Sequence, residues 1–394
     1  MGRIEYKWLA LLTVGVSTYM NTLDASIVNI SLPRLTEAFG VSMSAVLWVV
    51  LAYMLVLTGL MLTVGRLSDT LGRTRLFTWG VVVSTVGLAL CAVAQNVTQL
   101  IAFRVIQAAG AAAVVALGTA IVTEAFPAKE RGRGLGIIVS VVGAGLTSGP
   151  LLGGMVLQVL DWRAIFYLRL PVAALSILIA VRFLKPQQSH GASGRVPFDS
   201  GGAVSLFLGL GAFLLAINQG QARGWTSPFV LGMGVATVAF MGYFFVAEQR
   251  AARPLLDIEL FRDRLFAAGT GSLFFSFVAR MGVNVLTPFY LIQALAFSPS
   301  KAGVLMGAIP VSTLLLSPVC GWLSDRLGSR LLCVSGLVVV SFGLLLLLGL
   351  RVDSSSTEVA VPLVIIGIGS ALFETPNISL IMGSSPKDRL GTAS

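Results

Sequence analysis

Four ionisable side chains fall inside stretches of sequence that are otherwise apolar: Asp24, Arg104, Arg280 and Glu374. In a hydrocarbon environment such groups are expensive to bury. They pair with one another or mark the path of an ion or substrate. A carboxyl that can hold or release a proton near neutral pH is what proton coupling requires. Asp24 and Glu374 are therefore the candidate proton carriers, with Arg104 and Arg280 as their cationic partners. The polar residues Asn29, Gln107 and Asn377 lie close by in sequence and, with Arg280, are read as lining a substrate cavity. Static ion pairs are the bland alternative for all four charges. No metal-ligand spacing or phosphate loop occurs. Ser298-x-x-Lys301 matches a nucleophile pattern by chance, in a connection between apolar runs. An enzyme is not expected, nor any cofactor; the energy source would be a proton gradient.

The elements that must position these residues follow from composition. Of 394 residues, 56% are hydrophobic and 11% charged, against about 25% charged in soluble domains. Mean hydropathy is +0.91. Twelve apolar runs read as membrane-spanning helices, near residues 8–30, 45–64, 76–94, 98–124, 135–159, 164–183, 199–219, 228–247, 265–291, 302–322, 332–350 and 360–383. The chain is thus an all-α polytopic membrane protein. Its net charge of +10 comes from short basic connections with no basic face, so nucleic acid is not a partner. With the N-terminus in the cytoplasm, nineteen of the 27 lysines and arginines fall on the cytoplasmic side and six on the other. That bias sets the expected orientation. The three cysteines read as small core residues. His190, the only histidine, sits in a Gly/Ser-rich connection and reads as solvated.

The chain also repeats itself. "GRLSDTLGR" from Gly65 returns 256 residues later as "GWLSDRLGS" from Gly321, so Asp69 corresponds to Asp325. "PAKERG" (Pro127–Gly132) returns as "PKDRLG" (Pro386–Gly391) at an offset of 259. Two independent segments sharing nearly one offset indicate parallel repeats of a helical unit, which is how many transporter halves are built. The expected organisation is a six-helix bundle over 1–185, two inserted helices with their loops over 186–264, and the first four helices of a second bundle over 265–394. By this register the second repeat is truncated, and the sequence is expected to be part of a fourteen-helix protein.

Gly65-x-Leu67-x-Asp69-x-x-Gly72-Arg73-x-Arg75 resembles the signature loop of the major facilitator superfamily. The resemblance implies a conformational latch built on Gly65, Asp69, Gly72, Arg73 and, in the second copy, Asp325. Asp69 is expected to accept hydrogen bonds from free amides of the next helix. "GLTSGPLLGG" (Gly145–Gly154) is similar to the antiporter signature on the fifth helix of this superfamily. Gly145, Gly149 and Gly153 recur every four residues and form a close-contact face. Pro150 removes a backbone donor, and Gly153 with Gly154 completes the motif. "LDASIVNISLP" (Leu23–Pro33) resembles the first-helix signature of the fourteen-helix drug:proton antiporters. "RVIQAAG" (Arg104–Gly110) is similar to the Arg-x-x-Gln-Gly motif, with Ala108 where glycine is usual. The resemblance implies that Arg104 modulates the proton affinity of Asp24. Arg280 falls at the repeat position of Asp24 and is expected to pair with Glu374. Arg169 replaces a usual asparagine; it is expected to snorkel outward, the alternative being that it biases the cavity against cations.

Together these readings imply a multi-pass transporter of a bacterial inner membrane, surrounded by lipid. It would exchange protons for small amphipathic compounds by alternating access. An exporter of one native, anionic metabolite or lipid is the first alternative. A non-transporting membrane sensor or scaffold is the second.

Overall fold

A computed structural model describes residues 5–185, 200–250, 258–386 and 389–394. His190, Arg3, Arg195, Arg253 and Lys387 lie outside the described residues. The described residues form helices with no strand. In chain order these are α1 (Tyr6–Phe39), α2 (Met43–Leu71), α3 (Arg73–Ala92), α4 (Val97–Ala125), α5 (Arg131–Val159), α6 (Ala164–Tyr167), α7 (Leu170–Phe183), α8 (Ser200–Arg223), α9 (Pro228–Arg250), α10 (Arg264–Phe289), α11 (Pro299–Met306), α12 (Ala308–Leu327), α13 (Ser329–Leu347), α14 (Ser356–Ser384) and α15 (Leu390–Ala393).

Eleven described helical stretches are long and apolar enough to cross a membrane. The remaining predicted run is α1, which extends over 34 residues. Its Thr, Ser and Asn residues and Asp24 dilute its hydropathy. Two predicted runs are broken. The sixth divides into α6 and α7 at Leu168–Arg169, ahead of Pro171. The tenth divides into α11 and α12 at Gly307. After Pro288 the ninth run changes from α-helix to a π-helical turn over Tyr290–Ala294.

The described chain divides into two compact units. The first contains Met1–Ser26, Ile121–Leu151 and Glu259–Ser385. In it α14 packs against α10, α12 and α13. The second contains Ile27–Ala120, Leu152–Ile258 and Pro386–Ser394. In it α2 packs on α8, α8 on α9, and α3 on α7.

The sequence repeat reappears as geometry inside each unit. Gly72 joins α2 to α3 at φ 92°, and its counterpart Gly328 joins α12 to α13 at φ 86°. Both occupy backbone space that other L-residues rarely adopt. Each donates its amide one turn back, to the Ser68 and Ser324 carbonyls respectively. The helices that follow cross in the same way. A Cβ on Gly80 of α3 would lie 2.8 Å from the Gly110 carbonyl oxygen of α4. One on Gly336 of α13 would lie 2.9 Å from that of Gly369 on α14.

Candidate functional site

Asp24 lies on α1 and is 1% exposed. The sequence around it is made for close contact with α5. Ser26 Oγ donates to the Gly145 carbonyl at 3.1 Å, and the Tyr19 and Ser148 hydroxyls lie 3.0 Å apart. A Cβ added to Gly145 would meet Thr22 Oγ1 at 2.0 Å and the Leu23 amide nitrogen at 3.0 Å. The backbones can approach so closely only because Gly145 carries no side chain. Further along, a Cβ on Gly153 would lie 2.7 Å from Ile27. Gly149 is buried. Gly154 departs from the contact pattern, because open space surrounds the position where its Cβ would be. Helix α5 continues unbroken through Pro150.

Arg104 belongs to the second unit and is also 1% exposed. Within that unit Arg104 Nη1 donates to Gln107 Oε1 at 2.7 Å, one helical turn on. Its Nε donates to the Val49 carbonyl at 3.4 Å. The guanidinium lies 4.0 Å from the ring centre of Tyr53, a cation–π arrangement. Gln107 is thus committed to Arg104, and its Oε1 also receives the Cys91 thiol at 3.7 Å. Tyr53 escaped sequence reasoning, because nothing in its local pattern distinguishes it from a core aromatic. Asn29, assigned to the cavity, is exposed on α1.

In the first unit Arg280 of α10 and Glu374 of α14 form the expected ion pair. Glu374 is 7% exposed, and the Arg280 guanidinium lies 4.4 Å from the Phe277 ring centre. Asn377, one turn beyond Glu374, is buried and donates to the Gly269 carbonyl at 2.9 Å. It tethers α14 to α10.

The signature loops act differently from the sequence expectation. Asp69 does not cap the next helix, whose N-cap Gly72 provides no side chain. Its carboxylate accepts the amide of Gly391 at 3.0 Å, and the amide and hydroxyl of Thr392 at 3.2 and 2.9 Å. Arg73 Nη2 also donates to it, at 3.0 Å. Asp325 repeats the arrangement, accepting the Gly132 and Arg133 amides at 2.8 Å each. Those two amides open α5 and have no partner within the helix. Their partial positive charge favours a carboxylate there. Glycines make both approaches possible: Gly65 against Gly391, and Gly321 against Gly132. Each loop of one repeat therefore grips the "PAKERG"-type segment of the other. Both segments were visible in sequence; their partnership was not.

Arg169 corrects a further expectation. It does not snorkel outward but is buried, with Nε donating to the Ile165 carbonyl at 2.6 Å. Its guanidinium lies 5.5 Å from the Phe166 ring centre. At the break between α6 and α7 both Leu168 and Arg169 keep right-handed helical backbone angles. Among the described residues no cluster of His, Cys, Asp or Glu could hold a metal ion.

A sequence profile of the Major Facilitator Superfamily matches residues 14–394. The chain belongs to the major facilitator superfamily. Members of this superfamily are transporters rather than enzymes, and multi-pass membrane proteins that act on small molecules. The chain is 34% identical over 390 residues to the riboflavin transporter RibZ of Clostridioides difficile, covering 98% of this chain and 83% of that one. It is 33% identical over 387 residues to the multidrug resistance protein Stp of Mycobacterium tuberculosis, covering 98% and 71%. Among solved structures, the proton:xylose symporter XylE aligns with a TM-score of 0.65 at 16% identity, covering 98% of this chain and 84% of that one. The human organic anion transporter MFSD10 aligns at 0.62 and 18%, covering 98% and 87%. At these identities the structural matches support the superfamily fold alone.

Proposed function

We propose that the chain exports small amphipathic compounds across a bacterial inner membrane in exchange for protons. The observation that carries this reading is the burial of Asp24 on a spanning helix, directly beside the contact between α1 and the glycine face of α5. A buried carboxylate in such a helix costs several kcal/mol or more unless it is paired or protonated. Loading and unloading of a proton at Asp24 would change how firmly α1 sits on α5. Arg104 would modulate that step. The similarity to Stp supports a drug-like cargo. The two Asp-to-amide clamps would hold one resting conformation and open during alternating access. The bias of basic residues supports an N-terminus on the cytoplasmic face.

A second reading, a dedicated carrier of one metabolite, is favoured by the similarity to RibZ. The deciding experiment uses proteoliposomes containing a pH-sensitive dye and an imposed proton gradient. Adding an amphipathic compound should release protons from wild type and not from Asp24→Asn. Equal proton release from Asp24→Asn would overturn the assignment. Transport of riboflavin unaffected by excess drug would favour the dedicated carrier.

A further inference from the structure

The Arg280–Glu374 pair lies deep in its helices. Arg280 is about 24 Å from the start of α10 at 1.5 Å per residue, and Glu374 sits well inside the 29-residue α14. The helices are held together by other contacts as well. Asn377 already ties α14 to α10, and the glycine contacts with α13 fix its other side. A buried ion pair contributes little net stability compared with apolar residues of the same volume, so its presence calls for another reason.

The surroundings are asymmetric. The Arg280 side chain is 19% exposed and that of Glu374 10%, so the guanidinium is the more accessible member. Phe277, one turn before Arg280 and against its guanidinium, is 51% exposed. The accessible face of this pair is therefore a cation beside an open aromatic ring.

We infer that Arg280 and Glu374 form an exchangeable ion pair that receives the acidic group of an anionic cargo with an aromatic or apolar body. The cargo carboxylate takes Arg280, its body lies along Phe277, and Glu374 accepts one proton delivered from water. This rests on the transporter reading above and assigns it a substrate class, but it does not use the exchange at Asp24: here the proton binds together with the cargo rather than in its place.

Charge balance favours this exchange over its opposite. With anion and proton both bound, the site is as neutral as the resting pair. A cationic cargo on Glu374 would leave the half-buried Arg280 without its partner, a costly outcome in low-dielectric surroundings. Among the described residues of α10 to α14, Arg280 is the charged group paired with Glu374. Helix α10 presents Arg280. The titratable groups in the interiors of α12 and α13 are Cys320 and Cys333, and the Cys333 thiol reaches the Phe373 carbonyl at 4.0 Å. The other charged residues of α10 to α14, such as Asp325 and Arg330, occupy terminal turns. Helix α5 approaches through Gly136, which packs on the Thr375 methyl.

The test compares two probes with one fluorophore, dansylglycine as the anion and dansylcadaverine as the cation, binding to the purified full chain without a gradient. Wild type should bind dansylglycine more tightly as pH falls, by up to about tenfold per pH unit for one linked proton. Glu374→Gln should bind it with little pH dependence. Arg280→Gln should lose it at least tenfold, and Arg280→Lys should recover part. Should Arg280→Gln not fold, the pH slope of Glu374→Gln decides alone. The inference is overturned if Arg280→Gln binds dansylglycine normally, if the slope survives in Glu374→Gln, if dansylcadaverine binds the pair instead, or if wild type binds no dansylglycine. Proton antiport through Asp24 is read in the separate liposome assay, so either idea can fail without the other.

Discussion

Asp325 accepts the backbone amide of Gly132 at 2.8 Å, across 193 residues of chain. The same carboxylate accepts Arg133 with its other oxygen, and Asp69 does the equivalent for Gly391 and Thr392. Replacing Asp325 by asparagine keeps one acceptor but turns an NH2 group toward the second amide. The expected cost is about 1–3 kcal/mol of stability from the unsatisfied donor, with a several-fold loss of transport. Thermal unfolding in detergent and uptake in liposomes measure the two effects. Unchanged values in both would mean that the clamp has no energetic role.

The glycines of the clamp should be as sensitive as the carboxylates. A Cβ on Gly321 would lie 2.1 Å from the Gly132 carbonyl oxygen, which is backbone and cannot rotate away. Gly321→Ala should destabilise by about 1–3 kcal/mol, the usual range for overpacking. Gly303, with nothing within 4 Å of its would-be Cβ, is the matched control. Its alanine variant should melt within about 1 kcal/mol of wild type, apart from helix propensity.

A second pair of glycines separates contact from motif membership. Gly145→Ala would drive a methyl into Thr22 and push α1 off α5 beside Asp24, whereas Gly154→Ala meets open space. Transport by Gly145→Ala should fall at least about tenfold, as 1.4 kcal/mol or more of misplacement would require. Gly154→Ala should retain activity. Equal loss in both would indicate that the motif acts through something other than this contact.

The N-terminus has its own electrostatic anchor. Lys7, just ahead of the first apolar run, contacts Glu130 at 2.7 Å and Glu5 at 2.8 Å. Hydrogen bonds to Glu130 and then Glu5 raise its pKa above the ordinary value of 10.5. A raised lysine pKa contributes stability fully below the unfolded value and loses it as pH rises through the folded one. The melting difference between wild type and Lys7→Met should therefore be flat through the neutral range and shrink only above pH 10.5. A difference that changes near neutrality would assign it to another group.

The sequence was most legible where physics is local. Apolar length marked the spans, and positive-φ glycines at Gly72 and Gly328 fall where the repeated loops placed them. The Arg280–Glu374 pair was legible because two opposite charges inside apolar sequence have few other options. Partnerships across distant sequence were hidden. Asp69 looks like a cap for the helix beside it, and only the fold brings Gly391 to it. The burial of Arg169 was equally hidden, because it depends on what packs around the side chain in the fold rather than on local hydropathy. Gly307 divides α11 from α12 within a run that reads as continuous.

The reciprocal clamps also set a timetable for synthesis. Asp69 emerges from the ribosome 322 residues before Gly391. At about 5–20 residues per second, that is a wait on the order of 15–65 s. During this interval a carboxylate and its arginine stand at the membrane surface without their final partner, and the opening amides of α5 similarly await Asp325. The Asp325 clamp can close first, because Gly132 and Arg133 are already made, and the Asp69 clamp must wait for Gly391. The order of translation thus leaves both clamps unmade until the second repeat is synthesised.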